Sequence, residues 1–191
     1  MELAYLFRAI MRRKWIILIC TILAAAIAAI LTKDLKKSYK STAQLSTGFT
    51  QAEIPGPNQG VNFMQSELKF NNAKENITSP KVLSLVSFHL LLHDLQSPAP
   101  FIRLVKKPDF SIDKQNIIML LSSHLDSMTM LSPAVPEEKK ILTLLDLYNY
   151  DIETLDDQLK VDRYLKSDYI DIEFTSENAN LSAFVVNTLC D

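Results

Sequence analysis

Glycine is scarce in this chain of 191 residues, and that scarcity excludes the common nucleotide-binding loops. Only Gly48, Gly56 and Gly60 occur, all within one short stretch. Loops that cradle phosphate need several glycines ahead of a helix, where backbone N–H groups point at the anion. The spacing found here matches neither the Walker nor the Rossmann pattern, so we expect no nucleotide cofactor held by either motif.

Cysteine and clustered positive charge are also in short supply. Cys20 lies inside an apolar run and Cys190 is the penultimate residue, so we expect no disulfide between them. Residues 38–191 carry thirteen Lys and Arg and twenty Asp and Glu, a net charge of −7, whereas residues 1–37 carry a net charge of +5. Because nucleic-acid binding needs clustered positive charge, we expect no nucleic-acid partner for the acidic part of the chain.

One long apolar run is present near the N-terminus. It extends from Trp15 to Leu31, seventeen residues without a charge, and follows Arg12, Arg13 and Lys14. As a helix it would be roughly 26 Å long, close to the ~30 Å hydrocarbon core of a bilayer. The run therefore predicts a transmembrane helix at residues 15–32 after a cytoplasmic tail at 1–14. A cleaved signal peptide and a buried core helix are the alternatives.

The direction of insertion is not fixed by charge. Four basic residues precede the run, and four follow it within the next nine residues. The positive-inside comparison is thus a tie, and the short N-terminal tail alone favours an N-terminus inside the cell.

The remaining residues, 38–191, predict one mixed domain. Alternation from Tyr39 to Phe49 indicates a half-buried strand, and two further strands are expected at 160–165 and 169–174. Apolar residues at helical spacing, with capping residues and prolines ahead of them, predict helices at 63–76, 80–95, 112–131, 136–148 and 177–190, and a shorter turn at 151–159. The predicted fold class is α+β: an N-terminal transmembrane helix, then a mixed α/β domain with a small sheet and several helices.

Two histidines on one predicted helix raise the question of a metal site. His89 and His93 are four residues apart and share a helix face, a spacing that can hold zinc. A site would need a further ligand, for which His124, Asp94 and Asp126 are the candidates. The intervening residues supply no glutamate for general-base work, and two histidines beside an apolar stripe explain the pattern equally simply. We therefore predict no metal ligands.

Acidic residues cluster near the start of the last strands. Paired carboxylates can perform acid–base chemistry on sugars, but a run of charge is more often a solvated face, and no aromatic cleft residues lie nearby. No nucleophile-elbow sequence occurs either. We therefore predict no catalytic and no cofactor-binding residues. The carboxylates concerned are Asp151, Glu153, Asp156, Asp157 and Asp162.

Small residues recur at a spacing of four within the apolar run. Ala24 and Ala28 form one such pair, and Ala25 and Ala29 form another. Small residues at this spacing let membrane helices approach closely, which favours helix–helix contact, although alanine can also simply fill an apolar helix.

Three segments together resemble the Wzz-type chain-length determinants, also called polysaccharide co-polymerases. The first is the basic and apolar opening at 6–31 followed by a strand, the second is the capped helix at 78–92, and the third is the strand-then-helix stretch at 167–191. Within the first strand, the residues that match the family pattern are Tyr39, Ser41, Ala43 and Leu45. The chain departs from the family at Asn178-Ala179-Asn180, where a proline is usual. It also lacks the later coiled helices, second membrane helix and appended kinase domain of various relatives. We therefore expect residues 38–191 to be an incomplete Wzz-like domain.

This resemblance implies a non-enzymatic scaffold without cofactors, located in the bacterial inner membrane, with the N-terminus cytoplasmic and the main domain periplasmic. It implies partners of four kinds: further copies of the chain, a polysaccharide polymerase, the growing glycan and membrane lipid. The expected function is to regulate the chain length or export of a surface polysaccharide, such as O-antigen, capsule or exopolysaccharide. An extracytoplasmic sensor domain and an anchored envelope enzyme that uses His89 and His93 remain the alternatives.

Overall fold

The computed structural model describes residues 14–33, 37–49, 63–103, 113–165 and 167–190. The chain divides into two compact units, Met1–Lys37 and Ser38–Asp191. In the first unit the described part is a single helix, α1 (Lys14–Lys33).

The structure contradicts the predicted transmembrane helix. Among the residues that the structure describes, no helix combines the length and the hydropathy that a bilayer crossing requires. Helix α1 is 20 residues long only because it includes Lys14 and Lys33 at its two ends. The uncharged run from Trp15 to Leu31 has seventeen residues, at the lower end of the roughly 17–25 apolar residues of spanning helices.

The second unit contains three strands and six helices among its described residues. Its elements in chain order are β1 (Tyr39–Ser46), α2 (Phe63–Ile77), α3 (Pro80–Gln96), α4 (Lys114–Ser127), α5 (Pro136–Leu147), α6 (Ile152–Gln158), β2 (Leu159–Arg163), β3 (Tyr169–Ser176) and α7 (Ala179–Cys190).

The three strands form one antiparallel sheet in the order β1-β3-β2. Strand β3 lies in the centre, with Ala43 of β1 and Val161 of β2 both opposite Ile172. Along β3, Ile170, Ile172 and Phe174 are buried while the alternate residues are partly or fully exposed. The alternation predicted for this strand is confirmed, and it gives the sheet one apolar and one polar face.

The core lies between the apolar face of the sheet and the helices. One buried cluster joins α3, α4, α5 and α6 to Phe174 and to α7. A smaller cluster places Phe70 of α2 against Val161, Ile170 and Ile172. Helix α7 therefore covers one end of the apolar face and α2 covers the other.

Local capping signals set several helix starts. Ser79 Oγ accepts from the backbone N–H of Val82 at 3.4 Å, with Pro80 in the first turn of α3, as the sequence predicts. Pro136 likewise begins α5, with Glu137 and Glu138 in the first turn.

Other boundaries differ from the prediction. Helix α4 is capped by Asp113 and ends with Met128 in the left-handed conformation, so it stops earlier than residue 131. Ser111, which precedes the predicted start of this helix at residue 112 and can cap it, lies outside the described residues. The final helix begins at Ala179, because Ser176 still belongs to β3 and pairs with Tyr39.

Candidate functional site

The two histidines flagged as a metal pair have different surroundings. His89 is exposed, whereas His93 is partly buried and its ring stacks on that of Phe101, with centroids 4.1 Å apart and planes 8° apart. His93 Nδ1 lies 3.2 Å from Oδ1 of Asp94. No group of three or more His, Cys, Asp or Glu side chains that could hold a metal ion occurs in the described ranges.

The acidic run near the last strands is divided among structural roles. Asp151 caps α6, accepting from the backbone N–H of Thr154 at 3.0 Å and from its hydroxyl at 2.7 Å. Asp162 lies on β2 and pairs with Lys74 Nζ at 2.9 Å and Lys160 Nζ at 3.5 Å. The hydrogen bond with Lys74 lowers the pKa of Asp162, although the carboxylate is well exposed.

A fully buried carboxylate, Asp94, is the most unusual polar group in the described core. Its side chain has no solvent exposure. Oδ1 accepts from the backbone N–H of Phe101 at 2.8 Å, and Oδ2 accepts from the backbone N–H of Ile102 at 3.2 Å. Oδ2 also accepts from the Tyr150 hydroxyl at 2.7 Å. With His93 as a fourth contact, the donors offset much of the cost of removing this charge from water.

The sequence around Asp94 explains why these donors converge. Asp94 lies in the last turn of α3, and the segment 97–103, which contains Pro98 and Pro100, folds back over the end of that helix. Proline cannot continue a helix, and the freed backbone N–H groups of Phe101 and Ile102 reach the carboxylate.

Tyr150 reaches Asp94 because of the way α5 ends. Asn149 adopts the left-handed conformation with a φ of 53°, and the backbone N–H of Tyr150 donates to Leu145 O at 2.8 Å. This six-to-one bond is characteristic of the Schellman termination of a helix. It turns the Tyr150 ring into the core, where the side chain is 0% exposed. Asn149 directly follows the helix predicted at 136–148, and asparagine is one of the residues that tolerate the left-handed conformation at a helix end. The sequence therefore carried a signal for this turn.

Burial and the Asp94 carboxylate both raise the pKa values of the two tyrosines at the end of α5. Desolvation raises the pKa of Tyr150 first of all, and its hydrogen bond to Asp94 raises it further. The pKa of Tyr148 is raised as well, by desolvation and by the nearby Asp94 charge. The Tyr150 hydroxyl therefore stays protonated and remains a donor well into the alkaline range.

A second polar network continues from Asp94 toward the start of β1. Asn178 Nδ2 donates to Phe101 O at 3.0 Å, and Ser176 Oγ donates to Asn178 O at 2.8 Å. Ser182 Oγ lies 2.8 Å from Ser176 Oγ and 2.9 Å from the carbonyl oxygen of Tyr39. These bonds link the start of β1, the end of β3, the first turn of α7 and the segment 97–103.

The outer face of the sheet is polar across all three strands. Gln44, Asp171 and Asp162 lie in one cross-strand row, and Thr42, Glu173 and Lys160 lie in the next. Lys40 Nζ contacts Glu173 Oε1 at 3.1 Å. Within the described chain, Asp171 Oδ1 is the buried side-chain oxygen without a hydrogen-bond partner. This face offers hydroxyl, amide and carboxylate groups, which can bond a polyhydroxylated ligand.

The comparisons with known proteins supply one match. No curated protein and no solved structure matches the chain. A family model described as Wzz, chain length determinant protein, matches residues 1–90. This range contains α1, β1, α2 and the part of α3 from Pro80 to Leu90. The resemblance drawn from the sequence is thereby confirmed: over residues 1–90 the chain is similar to the Wzz chain length determinant family.

Proposed function

We propose that this protein is a non-catalytic, oligomeric scaffold that regulates the chain length or export of a surface polysaccharide. The observation that carries the proposal is the family match over residues 1–90. The structural roles found for the candidate residues agree with it. Asp151 caps a helix and Asp94 is fully occupied by donors, so neither is poised to act on a substrate.

The proposed partners are further copies of the chain, a polysaccharide polymerase and the growing glycan. The polar outer face of the sheet supports contact with a glycan, because its hydroxyl, amide and carboxylate groups can bond sugar hydroxyls. A scaffold of this kind acts by position, with several copies surrounding the growing glycan and the polymerase.

The proposed location of residues 38–191 is the periplasmic side of the inner membrane. Helix α1 supports association with lipid, since its apolar side chains, such as Trp15, Ile22 and Leu31, are exposed. Fractionation of envelopes and protease treatment of spheroplasts test this location. A main domain protected from protease in spheroplasts and degraded only after lysis would contradict it.

Deletion of the gene tests the function. We expect the surface polysaccharide of the deletion strain to lose its preferred length or to fall in amount, and expression of the full chain to restore it. An unchanged length distribution and amount in the deletion strain would overturn the proposal.

A further inference from the structure

Two exposed tyrosines lie at one end of the polar outer face of the sheet. We propose that this end of the face binds a segment of glycan whose sugars carry no negative charge, and that the rings of Tyr164 and Tyr169 are the platform for those sugars. The inference rests on the function proposed above, since it names the part of the domain that contacts the growing polysaccharide.

The pairing of β2 with β3 brings the two tyrosines opposite each other. Tyr164 directly follows β2, and its backbone N–H donates to the carbonyl oxygen of Tyr169 at 3.0 Å, which continues the antiparallel register of the two strands. Because side chains alternate along a strand, Tyr164 lies on the same side of the sheet as Asp162, and Tyr169 on the same side as Asp171. Both tyrosines therefore belong to the outer face.

Both tyrosines have surface available to a ligand. Tyr164 is 42% exposed and Tyr169 is 44% exposed. A tyrosine ring is apolar with a hydroxyl at its tip, which suits a partner that is apolar on one side and hydrated on the other. A pyranose ring has this character, since C–H groups form its face and hydroxyls form its edge. The two tyrosines therefore fit a sugar better than they fit a purely apolar or a purely ionic partner.

Hydrogen-bonding groups continue from the tyrosines along the outer face. The cross-strand rows are Ser46, Tyr169 and Tyr164, then Gln44, Asp171 and Asp162, then Thr42, Glu173 and Lys160. Successive rows on one face of a sheet are about 6.8 Å apart, so an oligosaccharide that lies on the tyrosine rings also passes over amide, hydroxyl and carboxylate groups. These groups can accept from sugar hydroxyls or donate to them.

The charges of the outer face select against acidic sugars. The lysines at this face are each paired with a carboxylate at 2.9–3.5 Å, Lys40 with Glu173, and Lys74 and Lys160 with Asp162. Binding of a sugar carboxylate or phosphate would have to displace one of these partners. Asp171 adds a further carboxylate in the middle of the face. The charge pattern therefore favours neutral sugars, or sugars with an amino group.

Asp171 also supplies an acceptor next to the tyrosines. Its Oδ1 is buried and has no hydrogen-bond partner among the described residues. A polar atom removed from water without a partner carries a free-energy cost, which a ligand donor can offset. The terminal torsion of an aspartate is soft, so this oxygen can turn toward a hydroxyl or amino group placed over the sheet.

Titration of the purified full chain with a fluorescent oligosaccharide tests the site. The probe is the surface polysaccharide of the same strain, cut to short lengths and labelled at its reducing end, and fluorescence anisotropy reports binding. Tyr164→Thr and Tyr169→Thr each remove a ring and keep a residue that favours strands. We expect each to raise the dissociation constant about five- to tenfold. Tyr169→Phe keeps the ring and should stay within about threefold of the unmodified chain.

Tyr39→Thr is the matched control for loss of an exposed tyrosine. Tyr39 is 40% exposed and pairs with Ser176 at the far end of the sheet, where alternation places it on the opposite side from Lys40. Its substitution should leave binding unchanged. Binding should also vary little between about 0.05 and 0.5 M salt, since no sugar charge is held. Urea unfolding reports whether each variant is folded, and changes in the ring-proton NMR shifts of Tyr164 and Tyr169 on addition of the probe need no substitution.

Several results would overturn the site. They are absence of probe binding or of ring-proton shifts in the unmodified chain, full affinity in both folded threonine variants, an equal loss in Tyr39→Thr, and steep weakening of binding by salt. These results are separable from failure of the proposed function. A deletion strain with altered polysaccharide length, together with any of them, removes the site and keeps the function. Probe binding with the expected variant effects, but unchanged length in the deletion strain, removes the function.

Discussion

Asp94 shows how one residue can organise several distant parts of a small domain. The carboxylate lies at the end of α3 and accepts hydrogen bonds from the segment 97–103 and from Tyr150, 56 residues further along the chain. A buried charge is tolerated only when donors surround it, and each donor left without its acceptor carries its own cost. The stability of this region is therefore coupled to a single side chain.

Removal of the Tyr150 hydroxyl measures one part of this arrangement. Tyr150→Phe keeps the buried ring and removes the 2.7 Å hydrogen bond to Asp94, so we expect a loss of about 1–3 kcal/mol in the free energy of unfolding. Asp94→Ala should cost more, because it leaves the Tyr150 hydroxyl and two backbone N–H groups without their acceptor. Urea unfolding of the three proteins checks the order. Equal stability of Tyr150→Phe and the unmodified chain would contradict the role assigned to the hydroxyl.

The same tyrosine predicts a loss of stability at alkaline pH. The pKa of Tyr150 is raised by burial and by Asp94, so the folded chain keeps this proton after the unfolded chain has lost it. Stability should therefore fall as the pH rises above about 10, the ordinary tyrosine value. In Tyr150→Phe this contribution is absent, so the difference in unfolding free energy between the two proteins should shrink from about pH 9 to pH 11. A constant difference across that range would argue against a protonated, buried hydroxyl.

At the scale of single elements, local signals predicted the helices better than their ends. Ser79 with Pro80, and Pro136 with two glutamates, fixed two helix starts because capping and first-turn charge act within a few residues. The start of α7 was placed too early, since Ser176 remains in β3 opposite Tyr39. Serine is also a common helix cap, but here its pairing with a strand 137 positions away in the sequence keeps Ser176 in β3, and no local pattern reveals that pairing.

The structural role of Asp151 as the N-cap of α6 can be tested directly. Asp151→Ala removes the acceptor for the Thr154 backbone N–H and hydroxyl, so we expect a loss of about 1 kcal/mol in unfolding free energy. Asp157→Ala, exposed on the same helix, should change the stability by less than about 0.5 kcal/mol. Thermal or urea unfolding distinguishes the two. Equal effects of both substitutions would show that Asp151 contributes only its charge.

At the scale of the whole molecule, the sequence indicated the α+β domain and the family, but not the contacts that build the polar centre. The sequence marks Asp94 only as a possible metal ligand, because its partners Phe101 and Tyr150 come together through the turns after α3 and α5. The predicted transmembrane helix was wrong, since no helix among the described residues is long and apolar enough to cross a membrane. Amphipathic patterns specify which face of an element is buried, whereas long-range polar contacts depend on how those elements pack.

The central claim is our proposal that this protein regulates the length of a surface polysaccharide, which rests on the family match over residues 1–90. The most direct measurement is the length distribution of the surface polysaccharide, resolved by gel electrophoresis, in a deletion strain that expresses the full chain at graded levels. We expect a preferred length to emerge and sharpen as the amount of the protein rises. The same distribution at every level of expression, with the protein present and folded, would contradict the account.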